Sequence, residues 1–233
     1  MHTNNLKAVF LLGTLKHSPT RSNTDTLSEY LTEHLKDHGV ENDIIRLVDY
    51  HIEPGIETHV GTPDDWPDIL KRVLQSDIVI FATPIWWGGH SSLVQRVIER
   101  LDALNDELLA TGRSDFENKI GGIVITGAED GVQHVIGNVT NFMSWNGLTV
   151  PPACSLSWLG DASDDTKESL TKKFDQGATK DMAETMARNL VFFARLLKDN
   201  PIPTKGRGIA DKVAPGTVGM KEGSRPPRKK INK

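Results

Sequence analysis

A doubly wound parallel α/β sheet is the architecture this sequence predicts, and three observations predict it. Short β-branched apolar runs, "KAVFLL" (7–12), "IVIFAT" (78–83) and "IGGIVIT" (120–126), lack polar alternation, as strands covered on both faces do. Between them lie stretches with apolar residues at helical spacing. The alternation of strand and helix recurs five times, which calls for right-handed crossovers around one sheet.

The first strand, 7–12, leads into a helix over 24–38, where Leu27, Leu31 and Leu35 form one stripe and Gly39 ends it. "NDIIRLVD" (42–49) alternates more and suits a strand nearer an edge. A short helix over 66–75 precedes the strand at 78–83. Residues 92–111 carry Leu93, Val94, Val97, Ile98, Leu101, Leu104 and Leu108 on one helical face and stop at Gly112. After the strand at 120–126 comes a helix over 131–146. "LTVPPACSL" (148–156) is the expected last strand, with Pro151 and Pro152 forcing an edge or bulge because neither can donate to a ladder. A final helix over 178–198, built on Met182, Met186, Leu190, Phe193 and Leu197, reads as a core or subunit face. The expected division is one domain over 1–200 and a Gly/Pro-rich basic tail over 201–233.

The 233 residues carry a net charge of −4, unevenly. Residues 205–233 hold nine Lys/Arg and two Asp/Glu, so that segment is +7 and residues 1–204 are −11. An extended, solubilising tail is expected. A nucleic-acid anchor is disfavoured because "PPRKK" has no interleaved aromatics for base stacking. The one cysteine, Cys154, excludes a disulfide framework, a Cys-based zinc site and a cysteine-held iron–sulfur cluster. No stretch approaches the ~18 apolar residues of a membrane span, and a cytoplasmic protein is expected. His34 and His38 are four apart on one helix, but without a third ligand at a recognisable spacing they read as a solvated face.

In such sheets ligands bind beyond the carboxyl ends of the strands, where the strand order reverses. Three loops converge there. The first, "GTLKHSPTRSNT", follows strand one and opens a helix, whose free N–H groups and positive dipole end suit a phosphate. Helix capping would account for one of its small polar residues. Thr14, Ser18, Thr20, Ser22, Asn23 and Thr24, with Lys16 and Arg21, exceed that need. The pattern matches neither the dinucleotide glycine fingerprint nor the Walker loop. The second, "TPIWWGGHSS", follows strand three. Pro84 stiffens it, Gly88 and Gly89 admit a close ligand, and Trp86 and Trp87 offer flat surfaces for a ring, a hydrophobic plug or a subunit patch. The third, "TGAEDGVQHVI", follows strand four; Gly127 and Gly131 flank Glu129 and Asp130, and an ordinary capped turn is its plain alternative.

The three loops together, in order across residues 6–160, resemble those of the flavodoxin-like NAD(P)H-dependent FMN reductases and quinone oxidoreductases. "GTLKHSPTRSNT" resembles their phosphate loop, "TPIWWGG" is similar to their flavin loop, and "TGAEDG" to their third, glycine-rich loop. Thr14, Lys16 and Trp86 stand where Ser, Arg and Tyr are commoner. The resemblance implies a flavodoxin-like five-stranded sheet of order 2-1-3-4-5. It also implies FMN as cofactor and NAD(P)H as co-substrate. Thr14, Ser22, Asn23 and Thr24, with Lys16 nearby, would hold the phosphate. Pro84, Ile85, Trp86, Trp87 and Gly88 would follow the ring edge, and Thr126, Gly127, Asp130 and Gly131 would close over it. Trp86 and His90 would meet a quinone, azo, nitro or ferric-chelate acceptor in a ping-pong cycle, in a homodimer or homotetramer. His17 and His90 also read as plain polar loop residues. Two other classes stay open: an electron carrier of the flavodoxin type, and a regulatory or assembly protein that has lost flavin.

Overall fold

The computed structural model describes residues 5–105, 108 and 112–203. Five strands, β1 (Leu6–Leu12), β2 (Val40–Arg46), β3 (Ile78–Pro84), β4 (Ile120–Gly127) and β5 (Ser155–Leu159), form one parallel sheet in the order β2-β1-β3-β4-β5. The helices are α1 (Asn23–Asp37), α2 (Trp66–Leu74), α3 (Ser92–Leu101), α4 (Val132–Trp145), α5 (Lys167–Phe174) and α6 (Gly177–Asp199).

The period of two along each strand splits the apolar residues between two cores. Phe10 and Leu12 of β1, Ile80 of β3 and Val124 of β4 pack with Leu27 and Leu31 of α1, Phe174 of α5 and Leu190 of α6. Val9, Leu11, Phe81, Ile123 and Ile125 face the other way, against Ile69 of α2, Val97 of α3 and Val139 of α4. Both faces of β1, β3 and β4 are therefore dry, which is why these strands read as unbroken apolar runs.

The last strand differs from its expected place. Thr149 makes an isolated bridge to Ile120, and pairing with β4 starts only at Ser155 and runs to Leu159. Pro151 and Pro152 cannot supply ladder N–H groups, so the chain crosses irregularly until they are passed. The strand expected over 42–49 is Val40–Arg46, followed by a 3-10 turn over Leu47–Asp49. The helix expected over 92–111 is α-helical through Leu101 and 3-10 through Leu104; 106–107 and 109–111 lie outside the described residues, as does 204–233 of the expected tail. Helix α5 was not expected. Thr166 caps it, accepting from the Ser169 amide at 3.1 Å, and its apolar side is only Leu170 and Phe174.

The irregular segment before α2 is fastened from α3. Arg100, fully buried, donates to the carbonyls of Glu53 (2.8 Å) and Glu57 (3.0 Å) and to both Asp64 carboxylate oxygens (3.1 and 2.8 Å). Its guanidinium lies 5.5 Å from the Trp66 ring centroid. Asp64 also accepts from the Val60 and Trp66 amides. Burial raises the Asp64 carboxyl, but the Arg100 bonds and those two amides outweigh it and bring it down to about 2.

Candidate functional site

The carboxyl ends of β1, β3, β4 and β5 open on a cleft of about 510 Å³. It is lined at one end by Thr14, Lys16, Arg21, Ser22, Asn23 and Thr24, and at the other by Pro84, Ile85 and Trp86. Thr126, Gly127 and Ala128 form one wall, and Gly160, Asp161, Ala162 and Ser163 another.

The polar end is built by the turn from β1 into α1. Ser22 is extended and caps α1, and the Asn23 and Thr24 amides that follow lie in the first turn, where no intrahelical acceptor exists. Thr24 shares a 2.7 Å hydroxyl bond with Thr126, tying the α1 start to the end of β4. Arg21 spends its guanidinium on two neutral oxygens, Asn23 Oδ1 at 2.9 Å and the Ala162 carbonyl at 2.6 Å, which joins this turn to the loop after β5. The Lys16 ammonium has no hydrogen bond or ion pair among the described residues. Two cations that form no ion pair at salt-bridge distance among the described residues, first-turn amides and three hydroxyls make a donor set that fits a phosphate monoester.

Two residues outside the cleft wall hold the turn. Arg46 closes β2 opposite Leu12 and donates to the Lys16 (3.1 Å) and Thr20 (3.0 Å) carbonyls and to the Asp25 carboxylate. Burial pushes the Asp25 carboxyl up, against the pull of Arg46. Asp49 accepts from the Ser18 hydroxyl (2.5 Å) and amide (3.1 Å) and lies 3.2 Å from His17 Nδ1; the Ser18 hydroxyl is the main cause holding its carboxyl below the usual range.

The aromatic end is a tight hairpin. Trp86 and Gly89 exchange backbone bonds of 2.8 and 2.9 Å around Trp87 and Gly88, both at positive φ (49° and 76°). Thr83 fixes its base by accepting from the Ser91 amide and donating to the Pro84 carbonyl. Trp86 is 52% exposed on the cleft rim, while Trp87 is 97% exposed and lies outside the wall. Gly88, Asp130 and Gly131 also stand outside it, where the loops after β3 and β4 touch. A Cβ on Gly131 would come within 2.8 Å of Gly88 Cα, and its φ is +138°. Gly131→Ala is expected to cost about 1–3 kcal/mol through this clash and the backbone conformation. Gly137→Ala, mid-helix with nothing near, is the control and should not destabilise. Thermal unfolding of both variants measures the difference.

His90 is turned from the cleft, 3.1 Å from Asn138 Oδ1. His17 is held at Asp49. Glu129 and Asp130 are exposed on the outer loop. Sequence reasoning missed the wall from Gly160 to Ser163, which follows from the carboxyl-end rule once β5 ends at Leu159, and missed Arg46, which no local pattern marks.

A parallel sheet of order 2-1-3-4-5 with a donor-rich turn and an aromatic rim at its carboxyl edge is a flavodoxin-like architecture. A family model described as NADPH-dependent FMN reductase matches residues 6–160, and the chain belongs to that family of flavin-dependent oxidoreductases. It is 30% identical over 208 residues to the 8-demethyl-8-aminoriboflavin-5'-phosphate synthase of Streptomyces davaonensis, covering 85% of this chain and 81% of that one. It is 40% identical over 161 residues to a Mycobacterium bovis protein named divalent metal cation transporter MntH, 67% of this chain but only 24% of that one. No described helix is long and apolar enough to cross a membrane. Among solved structures, RosB with bound 8-demethyl-8-formylriboflavin-5'-phosphate aligns at a TM-score of 0.76 and 26% identity over 97% of this chain and 95% of that one. An NADH:FMN oxidoreductase (EMOB) in apo form, at 0.58 and 15% identity over 82% of this chain and 90% of that one, shares the fold.

Proposed function

We propose that this chain is an FMN-dependent NAD(P)H oxidoreductase that hands electrons to a flat organic or chelated acceptor. The observation that carries this reading is the meeting, in one cleft of about 510 Å³, of a phosphate donor set and an aromatic rim. FMN, when bound, supplies the hydride and electron chemistry, and the protein supplies binding, orientation and electrostatics. On this reading Thr14, Ser22, Asn23 and Thr24 hold the phosphate through hydroxyls and first-turn amides, with Lys16 adding charge. Arg21, already bonded to the loop after β5, keeps that wall against the ligand. Pro84, Ile85 and Trp86 flank the ring edge, Thr126 and Gly127 line its other side, and Trp87, Gly88, Asp130 and Gly131 shape the mouth.

Nicotinamide and acceptor use that mouth in turn, a ping-pong order. Quinone, azo, nitro and ferric-chelate compounds are the acceptor classes to assay. Trp86, on the rim, is the residue assigned to acceptor contact, and His90, held at Asn138 outside the lining, is not. A second copy of the chain packs on α6, where Phe192 (61% exposed) and Leu196 (43%) are uncovered, giving a homodimer or homotetramer in the cytoplasm.

The test is the absorption spectrum of the purified protein followed by steady-state NAD(P)H oxidation with benzoquinone. A yellow protein that turns over both substrates, with parallel double-reciprocal lines, supports the reading. An electron carrier would bind flavin without oxidising NAD(P)H, and a scaffold would stay colourless with added FMN. Trp86→Ala is expected to raise the acceptor KM about 2–12-fold, as loss of one ring–ring contact would. FMN affinity should move less than threefold in the same variant. Unchanged acceptor kinetics would remove Trp86 from the substrate site.

A second reading is favoured by the likeness to the riboflavin-phosphate synthase over 85% of this chain. Here the same cradle takes a riboflavin 5'-phosphate as substrate and the ring itself is altered. Mass spectrometry of the flavin after incubation separates the two: a cofactor is recovered unchanged.

A further inference from the structure

The turn that offers its donors to the cleft is not shaped by its own residues alone. Between Gly13 and Ser22 it forms one described internal backbone bond, from the Thr20 amide to the His17 carbonyl at 2.9 Å. Gly13 is tied to Ala82 of β3 and Arg21 to Ala162 after β5, while the stretch between them is tied to the end of β2 and the 3-10 turn after it. Arg46 spans the turn, with one nitrogen on the Lys16 and Thr20 carbonyls and the other on Asp25. Its side chain is 13% exposed, while the Lys16 and Thr20 carbonyls it reaches belong to exposed residues. Lys16 and Thr20 bracket Ser18, which Asp49 holds. The middle of the turn is thereby held from outside by Arg46 and Asp49.

The same guanidinium solves an electrostatic problem. Asp25 lies in the first turn of α1, beside the amides of Asn23 and Thr24, and its carboxylate would repel a phosphate there. Arg46 pairs with it on the side away from the cleft lining, to which neither residue contributes.

We propose that Arg46 is a positioning residue for anion recognition: from the neighbouring strand it fixes the Thr14–Thr24 turn, through the Lys16 and Thr20 carbonyls, in the shape that selects a phosphorylated flavin. The inference rests on the flavin reading above. It assigns the selectivity for a phosphate to a residue that touches no ligand.

The experiment compares dissociation constants of FMN and riboflavin, by quenching of flavin fluorescence, for the full chain freed of flavin and for Arg46→Ala, Arg46→Lys and Asp25→Asn. Melting curves of each variant are recorded alongside. In Arg46→Ala, FMN should bind roughly tenfold or more weakly while riboflavin changes less than about threefold, the size expected for loosening charge-assisted contacts to one group. Arg46→Lys should fall between, because an ammonium keeps the charge but lacks the fork that reaches two sides of the turn. Asp25→Asn leaves the carbonyl bonds intact and should retain the preference for FMN. If Arg46→Ala proves unfolded, Arg46→Lys decides: selective weakening of FMN supports the role. Equal weakening of both flavins, or a loss of preference in Asp25→Asn as large as in Arg46→Ala, overturns it. If the unmodified protein binds FMN and riboflavin equally, the phosphate cradle itself is wrong. If it prefers FMN and the Arg46 variants keep that preference, only the positioning role fails.

Discussion

Replacing Arg100 with Ala is expected to destabilise the protein by about 3–5 kcal/mol, the range for removing one partner from a buried, hydrogen-bonded ion pair. Arg100 and Asp64 are both fully buried at their side chains, and the truncation leaves the Asp64 carboxylate without its cation, with the Val60 and Trp66 amides as donors, and takes the Arg100 donors from the carbonyls of Glu53 and Glu57. In a chain of this size the melting temperature should fall by about 10 °C. Arg100→Lys should recover only part of the loss, because one ammonium cannot reach the spread of acceptors. The pair also has a pH signature. Its carboxyl sits at about 2 in the folded state, below the ordinary value near 4. A depressed carboxyl stabilises the fold fully above about pH 4 and loses that contribution as pH falls towards 2. Denaturant unfolding at pH 6, 4 and 3 should show the difference between the parent chain and Asp64→Asn shrinking as pH drops. A constant difference would mean that Asp64 is not held as an anion.

The second large effect concerns the site. Thr14→Ala with Ser22→Ala should weaken FMN binding by about 30–300-fold, since each change removes a hydroxyl assigned to the phosphate, and hydrogen bonds to a charged group contribute about 1.5–3 kcal/mol each and do not add fully. Riboflavin, which has the same ring and ribityl chain but no phosphate, should lose far less. Ser22 also caps α1, so a modest common loss for both ligands is expected from its removal. Equal and large losses for FMN and riboflavin would contradict the assignment of this turn to the phosphate.

The parts of this molecule that were legible in the sequence share a physical cause. β1, β3 and β4 are dry on both faces, so nearly all their residues are apolar, and their ends mark where the loops that follow begin. The loops after β1, β3 and β4 accordingly bring ten of the expected residues, from Thr14 through Gly127, to one cleft. β5 was displaced in the reading because the apolar "LTV" before Pro151 outweighed "SLSWL", whose half-exposed positions blur the pattern of an edge strand. With β5 misplaced, the wall from Gly160 to Ser163 had no strand end to hang from. Helix α5 escaped because two buried residues in eight leave too weak a stripe. Trp87 and Trp86 are neighbours with the same side chain, and only the positive φ of the hairpin decides which indole faces the cleft. Arg46 and Arg100 act on acceptors 20 to 50 positions away in the chain, a relation that leaves no local spacing to read.

The claim on which the rest depends is that the turn between β1 and α1 is a phosphate site and that the Trp86 hairpin borders the ring. The most direct measurement is a crystal structure of the protein grown with FMN. The account predicts phosphate density against the Asn23 and Thr24 amides and the Thr14 and Ser22 hydroxyls, with the ring beside Trp86. Phosphate density anywhere else, or a ring lodged in the turn with the phosphate at the hairpin, would contradict it.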